Sequence, residues 1–141
     1  MYHWVPILLL LLFSCKPGVQ NNNTEYIPAD TSVTVVKDSL LSERLVAFAK
    51  TLMGTPYQFG CSAPSTGFDC SGFISYVFNH FEITVPRSSV DFTNEGRTIA
   101  TKDAKPGDLI LFTGTNSKIR TVGHIGLIIS NDSTGISFIH S

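Results

Sequence analysis

The stretch Thr66–Phe73, TGFDCSGF, decides how the rest of the chain is read. A turn residue, Gly67, an aromatic and an acid lead into Cys70, and Ser71 and Gly72 precede an apolar run. In the continuation CSGFISYVFNHF, Phe73, Val77 and Phe81 recur at helical spacing, which sets Cys70 at the start of an amphipathic helix. At such a position the unpaired amide N–H groups and the helix dipole favour negative charge. That is the condition a nucleophilic cysteine needs, because the thiolate attacks and the thiol does not. By residue type alone, Asp69 is a helix cap and Ser71 a first-turn residue.

Upstream, DSLLSERLVAFAKTLMG carries Leu41, Leu45, Phe48, Ala49 and Leu52 at three- and four-residue steps. This predicts a helix beginning at Asp38, capped by Asp38 or Ser39 and ended by Gly54 and Pro56. The turn-rich TPYQFGCSAPSTG that follows reads as a loop. Downstream, PRSSVDFTNEG is polar and irregular or briefly helical. A Pro-Gly-Asp turn then opens a strand at Leu109–Phe112, TVGHIGLIIS is a second strand, and ISFIHS is a third. Helices first and strands afterwards give an α+β domain, with N-terminal helices packed on a small antiparallel sheet.

A nucleophile needs a base that is near in space. Of the four histidines, His3 lies in the apolar N-terminal segment. His80 ends the cysteine's own helix, more than two turns away, and cannot reach back. His124 stands between Gly123 and Gly126, where missing side chains leave space around the imidazole. His140 lies on the following strand, so pairing of the two strands brings both rings onto one face. A second imidazole on the outer nitrogen of His124 fixes its tautomer, as the third member of a triad does. The Cys70 N–H is an oxyanion donor by position. The alternatives are two ordinary strand histidines, a Cys61–Cys70 disulfide in an exported protein, and a zinc site from Cys61, Cys70, His124 and His140, whose spacings are wider than structural zinc pairs use.

The 141 residues allow one modest domain with extras, and 43% apolar against 15% charged residues allows it a core. With a net charge of −1 and no basic run, binding to nucleic acid through its phosphates is excluded. The opening MYHWVPILLLLLFSC has an apolar stretch well short of the ~20 residues a membrane span needs, and matches the core of an export signal. Its ending, Leu12-Phe13-Ser14-Cys15, resembles a bacterial lipobox, which implies residues 1–14 as signal peptide and lipid modification of Cys15. A plain cleaved signal with a stray cysteine is the alternative. Residues 15–37, rich in Asn, Pro, Gly and Thr, read as a flexible tether, and residues 38–141 as the folded domain.

Taken together, FDCSGF, PRSS, PGDLILF, GHIGLII and FIHS resemble, in order, the NlpC-type cell-wall endopeptidases, papain-like cysteine peptidases of bacteria. The resemblance runs from about Leu41 to Ser141. It implies hydrolysis within peptidoglycan stem peptides, commonly at the γ-linkage between D-glutamate and the diamino acid. It makes Cys70 the nucleophile, His124 the general base and His140 the residue that orients it, with no metal or organic cofactor. Tyr57 matches a tyrosine beside the nucleophile, and Asp69, Ser71 and Arg87 match positions at the substrate cleft; Arg87 also reads as an ion-pairing surface group. Cys61 stands where the family has glycine or another small residue. Family chains usually continue past the position of His140, which implies either a shorter sheet here or a truncated product. Beside hydrolysis of this bond stand two further expectations: another cell-wall amide or an acyl transfer, and a wall-binding lipoprotein without catalysis. A lipid anchor at Cys15 followed by Lys16 implies the cell envelope, at the outer membrane and facing the periplasm.

Overall fold

The computed structural model describes residues 31–114 and 118–141, with the backbone alone for residues 31–37. Helix α1 spans Thr31–Thr51. It starts earlier than the apolar spacing predicts, so Asp38 and Ser39 lie inside the helix rather than at its cap, and the last part of the expected tether is helical. The predicted core stripe is the one that is buried: Leu45 and Ala49 are fully enclosed beside Val46, with Leu41, Phe48 and Leu52 packed around them.

After α1 come two short strands, β1 (Ser62–Ala63) and β2 (Gly67–Phe68), paired antiparallel through Ser62↔Phe68 and Ala63↔Gly67. This hairpin occupies the segment that composition reads as pure loop. Its turn depends on Gly67, whose φ of +100° is a left-handed conformation and whose added Cβ would lie 2.7 Å from the Pro56 carbonyl oxygen. Tyr57 bridges to Phe68 on the same small sheet.

Helix α2 spans Cys70–Asn79 and starts at the cysteine, as expected. Its apolar face, Phe73, Ile74 and Val77, is buried and packs on the main sheet. That sheet comprises β3 (Leu109–Thr113), β4 (Val122–Asp132) and β5 (Gly135–Ile139), all antiparallel in the order β3-β4-β5. Ile125 and Leu127 of β4 are fully enclosed against the helices. The polar connection from α2 to β3 has a 3-10 turn at Asp91–Asn94, pinned by buried Phe92. His80, at the end of α2, stacks on Phe48 of α1 with ring centroids 3.8 Å apart, a packing role remote from the helix start. The architecture is α+β, with the helical layer against an antiparallel sheet.

Candidate functional site

Asp69 is the best-anchored side chain around the start of α2. It is the N-cap, accepting from the Gly72 N–H at 2.6 Å through Oδ1, while Oδ2 accepts from the Gly60 N–H at 2.9 Å. The Arg87 guanidinium grips both oxygens, Nη1 to Oδ1 at 2.9 Å and Nη2 to Oδ2 at 2.8 Å. Arg87 also donates to the Ser71 hydroxyl at 3.1 Å, and that hydroxyl lies 3.4 Å from Asp69 Oδ1. Burial alone would raise the Asp69 carboxyl; the Arg87 bond, the Gly72 N–H, the Arg87 charge and the Gly60 N–H outweigh it and hold the group below the ordinary carboxylate range. Asp69, Ser71 and Arg87 are therefore bonded to one another, and Asp69 is 7% exposed. Their immediate work is to fix the helix start on which Cys70 sits.

The backbone of Cys61 lies against the same helix start. Its carbonyl accepts from the Asp69 N–H at 3.0 Å, and a Cβ on Gly72 would come within 2.2 Å of that oxygen. Gly72 is thus the residue that lets strand and helix meet. Both Cys61 and Cys70 are free thiols, half-buried, so the expected alternative of a disulfide between them is not formed. Among the described residues no three His, Cys, Asp or Glu side chains converge as metal ligands.

The two imidazoles meet as the strand order predicts: His124 Nε2 lies 3.1 Å from His140 Nδ1, with the rings nearly perpendicular. Two details differ from the sequence reading. His140 lies just past β5, which ends at Ile139. The space flanking His124 is also filled rather than open. A Cβ at Gly126 would sit 2.7 Å from the Phe138 ring, and one at Gly123 would sit 2.8 Å from Gly114 Cα. Phe138 occupies the room Gly126 leaves, and stacks at a tilt on Phe112 (5.2 Å) and His140 (5.6 Å), while Phe112 lies 6.1 Å from His124. Phe112 is the β3 register partner of His124. These aromatic supports were missed from sequence. Phe138 had a signal, being two residues before His140 and so on its face of the strand; Phe112 had none, since only register places it. Burial, and secondarily the electrostatic influence of the neighbouring His140, hold the His124 imidazole below its usual value of 6.5, which keeps it neutral and competent as a base near pH 7.

Cys70 and the histidine pair are joined through the backbone that leads into α2. The Ser141 hydroxyl donates to the Phe68 carbonyl at 2.8 Å, two residues before Cys70 and one after His140. The direct hydrogen bond at the site runs between the two imidazoles, and the Ser141–Phe68 bond ties the segment after His140 to the strand that leads to Cys70. Tyr57 is exposed at 57% beside the same Phe68. Cys15 lies outside the described residues.

Comparison with known proteins bears on this arrangement. The chain is 33% identical over 129 residues to the gamma-DL-glutamyl hydrolase of Bacillus subtilis, covering 92% of this chain and 29% of that protein. It is 36% identical over 104 residues to the bifunctional muramidase/DL-endopeptidase CwlT of the same organism, covering 73% of this chain and 31% of that one. The chain thus spans about a third of the length of these relatives. A crystal structure of an NLP/P60-family protein from Staphylococcus aureus, described as similar to lipoprotein, superposes with a TM-score of 0.58 at 30% identity, over 74% of this chain and 38% of that one. The fold shared with these domains is the papain-like α+β fold. Residues 54–141, which hold the capped helix, the three-stranded sheet and the histidine pair, match the NlpC/P60 family model, and the chain belongs to the NlpC/P60 family.

Proposed function

We propose that this domain is a cysteine endopeptidase that hydrolyses amide bonds in peptidoglycan stem peptides, the γ-D-glutamyl–diamino acid bond first among them. The observation that carries the reading is the hydrogen-bonded His124–His140 pair tied, through Ser141 and Phe68, to the strand that delivers Cys70 to the first residue of α2. The choice of bond is supported by the relatives named for γ-glutamyl hydrolysis and DL-endopeptidase activity.

The chemistry follows from which nitrogen is occupied. With Nε2 of His124 engaged by His140, Nδ1 is the nitrogen left to take the Cys70 proton. The thiolate adds to the amide carbonyl, and the resulting oxyanion meets the Cys70 N–H at the open end of α2. The imidazolium gives its proton to the leaving amine as the C–N bond breaks, leaving a thioester. Water, deprotonated by the same imidazole, then cleaves the thioester and restores the thiol. His140 holds the tautomer throughout.

Digestion of purified muropeptides, with fragments weighed by mass spectrometry, tests the assignment. Fragments ending at D-glutamate with a new amino terminus on the diamino acid are expected. Cleavage at another bond would move the domain to a different wall amide, and binding without cleavage would make it a wall-binding protein.

We also propose that Cys15 is lipidated and holds the domain at the cell envelope, on the outer membrane facing the periplasm. An immobile mesh beside a membrane suits an anchored enzyme, and several acyl chains at about 0.8 kcal/mol per buried methylene hold it firmly. Metabolic labelling with an alkyne fatty acid is expected to mark the wild-type chain and not Cys15→Ala; equal labelling of both would overturn the anchor.

A further inference from the structure

The ladder between β4 and β5 has its last pair at Leu127↔Ile139, so His140 projects from a strand end that the ladder does not hold. An orienting imidazole has to be kept within a few tenths of an ångström of its partner, so His140 needs a hold outside the ladder. The Ser141 hydroxyl makes a 2.8 Å bond, 73 residues away in sequence, to the carbonyl of Phe68. Phe68 is 1% exposed and is itself fixed, its N–H donating to the Pro56 carbonyl and its carbonyl also accepting from Gln58 N–H. The strap therefore ends on one of the most rigid points near the helix start.

We infer that Ser141 is a positioning residue: its hydroxyl clamps the end of β5 to the strand that leads into Cys70, and so sets both the His140–His124 hydrogen bond and the distance of that pair from the thiol. Its bond partner is a backbone carbonyl, so the role requires a donor at this position and no charge. His140 Nδ1 also lies 3.4 Å from the Ser141 carbonyl oxygen, a longer contact that competes with His124 for the same nitrogen. With the strap in place the 3.1 Å contact to His124 prevails; without it, the competing contact to the Ser141 carbonyl can draw His140 away. The inference rests on the catalytic reading for its effect on rate, but its effect on the imidazoles is independent of that reading.

The test is Ser141→Ala with Ser141→Thr as the donor-retaining control, both in the full chain and checked for an unchanged melting profile. Two readouts are taken: histidine ring NMR through a pH titration, and kcat/KM on muropeptides. In Ser141→Ala the His124 titration is expected to rise toward the ordinary 6.5, because the neighbouring His140 ring, the second cause of its depression after burial, moves off, and its ring nitrogens should report mixed tautomers. Its kcat/KM should fall roughly tenfold, with kcat carrying the loss, a fraction of what general-base catalysis provides. Ser141→Thr should keep the wild-type titration. In a His140→Ala background, Ser141→Ala should shift His124 no further. An unchanged His124 titration in Ser141→Ala, or an equal shift in the His140→Ala background, would overturn the inference. If the titration shifts as stated while no variant cleaves muropeptides, the strap stands and the catalytic reading fails.

Discussion

Cys70→Ala is expected to yield a folded protein whose cleavage of muropeptides is at least about 10³-fold below wild type, because single members of a nucleophile–base unit each carry most of its rate. The substitution spares the scaffold. The cap at Asp69 bonds to Gly72 and Arg87 and not to the thiol, and alanine is a good helix former at a first-turn position. Melting curves of the two proteins should therefore overlay, and a fall in melting temperature in step with activity would recast Cys70 as a core residue. Wild-type activity should also have an acid limb below pH 6.5, since burial first and His140 second hold His124 below that value. Protonation of His124 removes the base, so rate is lost as pH falls through its depressed pKa and is full above the ordinary one.

Asp69→Ala has the largest expected effect on stability, about 2–4 kcal/mol in urea denaturation at neutral pH. It removes the acceptor for two backbone N–H groups and for both arms of Arg87. Arg87, with its side chain 47% exposed, turns to water at little cost, so the loss falls on the helix cap and on the Gly60 N–H. Asp69→Asn keeps the cap acceptor and should lose less. The pH dependence has a definite sign. The folded carboxyl titrates below 3.8, so the unfolded chain takes up its proton first as pH drops. Its contribution is complete above 3.8 and is lost as pH falls through the lower folded value. In Asp69→Ala that segment of the acid unfolding curve should vanish; an unchanged curve would mean that other carboxylates govern acid unfolding.

Residue order alone carried a large part of this molecule. The helical spacing in CSGFISYVFNHF put Cys70 at a helix start, and that is where α2 begins. The apolar stripe Leu45, Ala49 was legible because helix periodicity and burial are the same pattern seen twice. Consecutive strands carrying His124 and His140 were enough to predict that the rings meet, since short connections pair neighbours antiparallel. The start of α1 at Thr31 was not legible: residues 31–37, TSVTVVK, are rich in β-branched residues of low helix propensity, and propensity is a weak prior against the fold that recruits them.

What folding alone decided are contacts between residues distant in sequence. The Arg87–Asp69 clamp lies 18 residues apart and the Ser141–Phe68 strap 73; neither has a period or spacing that sequence could display. Phe112 reached His124 through strand register, and Phe138 took the room beside Gly126 that sequence read as empty. The physical reason is one of range. Capping, amphipathicity and turn chemistry act over a few residues and are written locally, whereas the alignment of a base with its nucleophile is set by packing that closes only when the whole sheet and helix layer have come together.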